Sequence, residues 1–270
     1  MNTAAATRPL FVSMAMTCLM AVVAAGLSCR GTSGPLSVFA AAGAKPAFDE
    51  IAARRADAGN PVDISYGGGG EVLNQMVLSG SGDVYVAPEQ GFMEQAAELG
   101  AIDPATVTTV AWMVPVIAVA EGNPRGMTSL DDLAVPGVRV GVTRAETTLL
   151  GRYAPEIFQK AGLSEAIEDN IVTEAARPDT LVTALMMEQL DAAVVWDFYG
   201  TRFPDDIDIV PFAAEQLTGI GELQVAVASW CQDRAGADNF IGYLLSPGGR
   251  DVFRAAGYIV DESEARRWQP

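Results

Sequence analysis

The sequence predicts an α/β fold of two lobes, each a mostly parallel sheet flanked by helices, joined by two crossing strands. Three observations predict it. Strand-like and helical patterns alternate along most of the chain, the order that builds parallel sheets covered on both faces. The apolar run at 110–120 is too long for one ordinary strand and is broken by Pro115, which suits a strand leaving one sheet for another. A later run at 223–228 supplies a return crossing, and helices after it complete the first lobe.

Taken in order, residues 36–40 form a short strand, and 44–56 place Ala47, Phe48, Ile51 and Ala52 at helical spacing. Residues 62–66 are a second strand, and helical spacing resumes at 71–78. Residues 83–86 are a buried strand, and 92–99 a helix ended by Gly100. In the second unit Ser129 caps a short helix bearing Leu130 and Leu133, and 138–142 is a strand. A helix at 148–161 stops at Gly162, another covers 179–189, and strands follow at 192–196 and 207–211. Helices at 238–245 and 249–256 come last. The expected organisation is a signal peptide at 1–28, a tether at 29–35, one lobe from 36–113 with 224–270, and a second lobe at 114–223.

The signal peptide is read from a near-continuous apolar run at 10–27, preceded by Arg8 as its only charged side chain. Small residues Ala24, Ala25, Gly26 and Ser28 favour cleavage over a membrane-anchoring helix. Two cleavage sites compete. Val23-Ala24-Ala25 fits ordinary release, whereas Gly26-Leu27-Ser28-Cys29 resembles a bacterial lipoprotein box and leaves Cys29 to carry lipid. The lipid reading is preferred because it gives Cys29 a role. Of three cysteines, Cys18 lies in the leader and Cys231 is remote, so a disulfide framework is not expected.

The chain is acidic, with a formal charge of −17, and contains no histidine. That acidity repels nucleic acid and anionic lipid. The missing imidazole excludes a His-based metal site, a Ser-His-Asp triad and a Cys-His dyad. What remains is recognition by backbone dipoles, arginines or carboxylates. The four consecutive glycines at 67–70 point to the first of these. A glycine turn between strand and helix leaves amide N–H groups unpaired, lets a ligand approach closely, and adds the helix dipole, so it favours an anion.

The segments at 36–43, 66–75, 82–86, 114–124 and 191–196 resemble, in order and spacing, the molybdate/tungstate-binding proteins of ABC importers. The resemblance covers nearly the whole mature chain. It implies a type II periplasmic-binding-protein architecture and solute capture for a permease in the cytoplasmic membrane. Such proteins hold a tetrahedral oxyanion with two serine hydroxyls, backbone amides and a tyrosine hydroxyl. Here the serine positions fall at Gly43 and Gly69, the tyrosine at Trp196, and the second-lobe amides at Leu150 and Pro178. Both hydroxyls and one N–H are therefore missing. Arg177 and Arg144 are candidate replacements by charge-assisted bonding.

The expected site comprises Ala42, Gly43, Gly68, Gly69, Gly70, Glu71, Thr148, Leu150, Arg177, Pro178 and Trp196, with Arg144, Glu146 and Asp197 in a second rank. Two other ligand readings stay open. Glu71, Glu146, Glu174 and Asp197 could close on a hard cation. The two glycines also enlarge the cleft, which could admit a bulkier organic anion or a metal chelate. The sequence thus predicts an exported or cell-envelope binding protein, monomeric, without cofactor or catalysis. An enzyme would have to rely on paired carboxylates such as Glu71 and Glu146, and a sensory ligand-binding module is the remaining alternative.

Overall fold

The computed structural model describes residues 34–268. The expected leader and Cys29 lie outside the described residues. The first sheet is assembled from β1 (Leu36–Ala41), β2 (Val62–Gly67), β3 (Val84–Ala87), β4 (Thr108–Met113) and, from late in the chain, β10 (Gly221–Val227). Its order is β2-β1-β3-β10-β4. The second contains β5 (Pro115–Ala120), β6 (Val140–Thr143), β7 (Ile171–Ala175), β8 (Ala192–Trp196) and β9 (Ile207–Pro211), in the order β7-β6-β8-β5-β9. Both sheets are mixed. Four strands of each point the same way, while β10 in the first and β5 in the second run antiparallel to both of their neighbours.

Helices cover the sheets: α1 (Lys45–Asp57), α2 (Gly69–Ser79), α3 (Gln90–Glu98), α4 (Leu149–Lys160), α5 (Ser164–Glu168), α6 (Pro178–Met186), α7 (Phe198–Arg202), α8 (Arg234–Leu245), α9 (Pro247–Ala255) and α10 (Glu262–Ala265). The burial pattern explains the layering. In β1, Val38 and Ala40 enter the main core while Phe39 enters a smaller one with Tyr85, so the strand is covered on both faces. α2 docks on that smaller core through Val72, Leu73 and Met76. It ends at Gly80, whose φ of 56° is the left-handed cap position that glycine adopts without a Cβ clash.

The expected run at 110–120 does divide at its proline. β4 ends at Met113, and Val114 links it to β5 in the other sheet. This link is pinned by Asp197. The Asp197 amide donates to the Val114 carbonyl at 2.9 Å, and the Val114 amide donates to Asp197 Oδ1 at 3.0 Å. The Phe198 amide also donates to Asp197 Oδ1 at 3.0 Å, starting α7. Burial lifts the Asp197 carboxyl to about 7 against these amides. Among the described residues no helix is long and apolar enough to cross a membrane.

β7, α5, α7 and α10 were not anticipated. β7 is an edge strand with Val172 57% exposed, so it lacks the buried apolar run that marks β8. The three helices are a single turn or little more, too short for a periodic signal.

Candidate functional site

The carboxyl ends of β1, β2, β3, β6, β7 and β8 face a common cleft of about 380 Å³. Ligands of open α/β sheets bind beyond those ends, where helices begin and their amides point outward. Walls from the first sheet's side include Ala42, Gly43, the glycine turn, Glu89 and Phe92. From the second come Glu146, Thr148, Arg177, Pro178, Trp196 and Phe198. Met113, Leu223 and the buried ring of Tyr258 also line it.

The cleft therefore brings together Ala42, Gly43, Gly68, Gly69, Gly70, Glu71, Glu146, Thr148, Arg177, Pro178 and Trp196. It does not include Leu150, Arg144 or Asp197. Leu150 is fully buried in the core beneath α4. Arg144 is turned aside, its Nε donating to the Glu174 carbonyl at 3.4 Å. Asp197 is committed to the Val114 link, a structural duty that its position next to Trp196 in sequence did not reveal.

Electrostatics decide which donors are free. Glu71, Glu89, Glu146 and Asp179 line the cleft with Arg177 as the one basic side chain among the described lining residues. Glu71 accepts from the Gly68 amide at 3.1 Å. Asp179 accepts from the Tyr199 hydroxyl at 2.7 Å and sits 3.8 Å from Arg202. Arg177 has no ion pair among the described residues, and its guanidinium is exposed at the α6 N-cap. First-turn amides of α2 at Gly69 and Gly70 have no acceptor within their own helix. Pro178 opens α6 and has no N–H to give.

The α4 N-terminus is a different case. Thr148 caps it, accepting from the Gly151 amide at 2.9 Å and donating to Thr143 Oγ1 at 2.8 Å. Its first amide, that of Leu149, donates to Glu89 at 2.5 Å. Glu89 follows β3 and is only 5% exposed, so a carboxylate from one sheet's side sits on the helix end of the other. Burial pushes it up to about 7, against the pull of the Leu149 and Leu150 amides and the Arg152 charge. The seat expected for a ligand at Thr148 and Leu150 is thus held by the protein's own acid.

Both glycines at the serine positions have a reading in space. A Cβ on Gly43 would meet nothing within 4 Å. A Cβ on Gly69 would stand 2.5 Å from a ring carbon of Phe92, so an aromatic ring fills the place of a hydroxyl-bearing side chain. Trp196 is 4% exposed and packs edge-on to Tyr153 with centroids 6.5 Å apart. Sequence reasoning missed Glu89, Phe92, Phe198 and Tyr258. Glu89 was within reach, because Pro88 and Glu89 directly follow a strand whose end had to face the cleft. Tyr258 arrives from the far C-terminal part of the chain, where no local pattern marks it.

Among the described residues no group of three or more acids and cysteines is placed to hold a metal ion. Glu174 and Asp197 are not in the cleft lining.

The family model for bacterial extracellular solute-binding proteins matches residues 36–259. The chain belongs to that family. It is 25% identical to a putative binding protein of Haemophilus influenzae over 83% of this chain and 90% of the relative. It is also 25% identical to the molybdate-binding protein ModA of Mycobacterium tuberculosis over 92% of this chain and 98% of that protein. In fold, it is similar to the substrate-binding domain of a putative molybdenum ABC transporter from Clostridium difficile. That match has a TM-score of 0.72 at 21% identity, over 84% of this chain and 99% of that domain. The two-lobe type II binding-protein fold follows, and with it an extracytoplasmic solute-binding role.

Proposed function

We propose that this chain is the capture component of an ABC importer, holding an oxyanion-type solute between its lobes and delivering it to a permease. The observation that carries this reading is Arg177, a guanidinium with no ion pair among the described residues, on a cleft where strand ends from both sheets converge. The relatives named as molybdate-binding support the same class of ligand. Ala42, Gly43 and the amides of Gly69 and Gly70 stand opposite Arg177 as uncharged donors. Capture requires no bond making, so no catalysis is assigned. The lobes are taken as 36–113 with 224–270 and 114–223, with the second boundary drawn back to Gly221 because β10 lies wholly in the first sheet. Residues 1–28 serve as an export signal, Cys29 as a lipid anchor and 29–35 as a tether, and the protein works as a monomer.

The test is a thermal-shift panel on purified, metal-stripped protein with molybdate, tungstate, sulfate, phosphate and Fe³⁺. A ligand at 100 times its Kd raises stability by about 2.7 kcal/mol, well above detection. Arg177→Ala should weaken the winning anion by roughly tenfold to a hundredfold, the worth of one charge-assisted bond. A melt shifted by Fe³⁺ alone would overturn the anion reading.

A further inference from the structure

We infer that the preferred solute is an organic oxyanion, a carboxylate or phosphate headgroup on an apolar body, rather than a bare tetraoxyanion. The inference rests on the anion-capture reading above and narrows it. Three independent features lead there. The first is size. The cleft of about 380 Å³ lies within the roughly 300–1,000 Å³ of clefts that take organic ligands. A four-oxygen ion would leave most of that space as water against apolar walls, where it gains nothing.

The second is the wall itself. Phe92, Met113, Trp196, Phe198 and Leu223 line the cleft, and Phe92 stands where a side chain on Gly69 would otherwise project. That exchange removes a hydroxyl donor and adds an aromatic surface. The third is the count of donors. A desolvated tetraoxyanion needs partners on every oxygen. Here the α4 amide is held by Glu89, Pro178 has none, and Thr148 gives its proton to Thr143. The donors left, Arg177 with Ala42, Gly43 and the first-turn amides of α2, suffice for one headgroup. Glu89 and Glu146 elsewhere in the lining oppose a second charge.

Isothermal titration of the purified protein with two homologous series tests this: methyl to hexyl phosphate, and acetate to octanoate. Affinity should tighten by about fourfold per buried methylene until the wall is reached. The better series identifies the headgroup. Molybdate, tungstate and sulfate should bind at least tenfold more weakly than the best organic anion. Gly43→Leu adds bulk at a position where a Cβ meets nothing within 4 Å. It should weaken hexyl phosphate tenfold or more relative to methyl phosphate, as should Phe92→Ala. A flat chain-length profile with tight molybdate binding overturns this inference and leaves anion capture standing. No binding of any anion overturns both. Hexanol binding as well as hexanoate overturns the headgroup and, with it, the role of Arg177.

Discussion

Glu89 is the residue whose chemistry the cleft most constrains. Its carboxyl is lifted from 4.5 to about 7 by burial, so between those values the folded chain holds a proton that the unfolded chain releases. The sign follows from linkage. Stability tied to this group is fully present below about pH 4.5 and is lost as pH rises through about 7. Glu89→Gln removes the titration. The variant should be more stable than the parent at pH 8 by roughly 2–3 kcal/mol, with little difference near pH 4.5. Urea melts at the two pH values measure this. Asp197 titrates in the same window, so the difference between parent and variant is the quantity to read. Equal differences at both pH values would show that Glu89 is not buried as described.

The two serine-position glycines also diverge at this scale. Gly69→Ala forces a Cβ to within 2.5 Å of the Phe92 ring and should cost about 1–3 kcal/mol, whereas Gly43→Ser enters open space and should stay within about 0.5. In a double-mutant cycle, Phe92→Ala should absorb much of the Gly69 penalty. Additive losses would mean the two positions do not share the space.

At the scale of elements, what could be read from sequence was what periodicity and punctuation record. The division at Pro115, the strand ending at Trp196 and the helix stops at Gly100 and Gly162 all rest on local stereochemistry. β7 escaped because an edge strand with exposed Val172 carries no buried run. The site was legible in part, since strand ends must face the cleft, which placed Gly43 and the glycine turn there, while the family resemblance pointed to Arg177 beside Pro178. What escaped was side-chain commitment. Nothing local shows that Asp197 holds Val114, or that Thr148 spends its hydroxyl on Gly151. The latter makes a prediction about α4 alone. Thr148→Ala should lower stability by about 1 kcal/mol through loss of the N-cap, while Thr148→Ser retains most of it. Equal losses in both variants, read from chemical denaturation, would show that the methyl packing matters and the cap does not.

For the whole molecule, the Glu89–Leu149 hydrogen bond ties one lobe to the other without any ligand. Opening the cleft separates Glu89 from α4 and lets water reach it, returning its proton affinity toward that of an ordinary carboxylate. The open form then gains on the closed form as pH rises from about 4.5 through about 7. Such a rotation is expected at the two connections between the sheets, the Val114 link held by Asp197 and the segment leading into β10. Small-angle scattering of ligand-free protein should therefore give a larger radius of gyration at pH 8 than at pH 5. Saturating hexyl phosphate or molybdate, whichever binds, should bring the pH 8 value back down. Glu89→Gln should show no change with pH, although its Asp197 is intact, which separates the cleft acid from the hinge acid. A parent protein with the same radius at both pH values would mean that closure is set by packing alone and that Glu89 merely fills the end of α4.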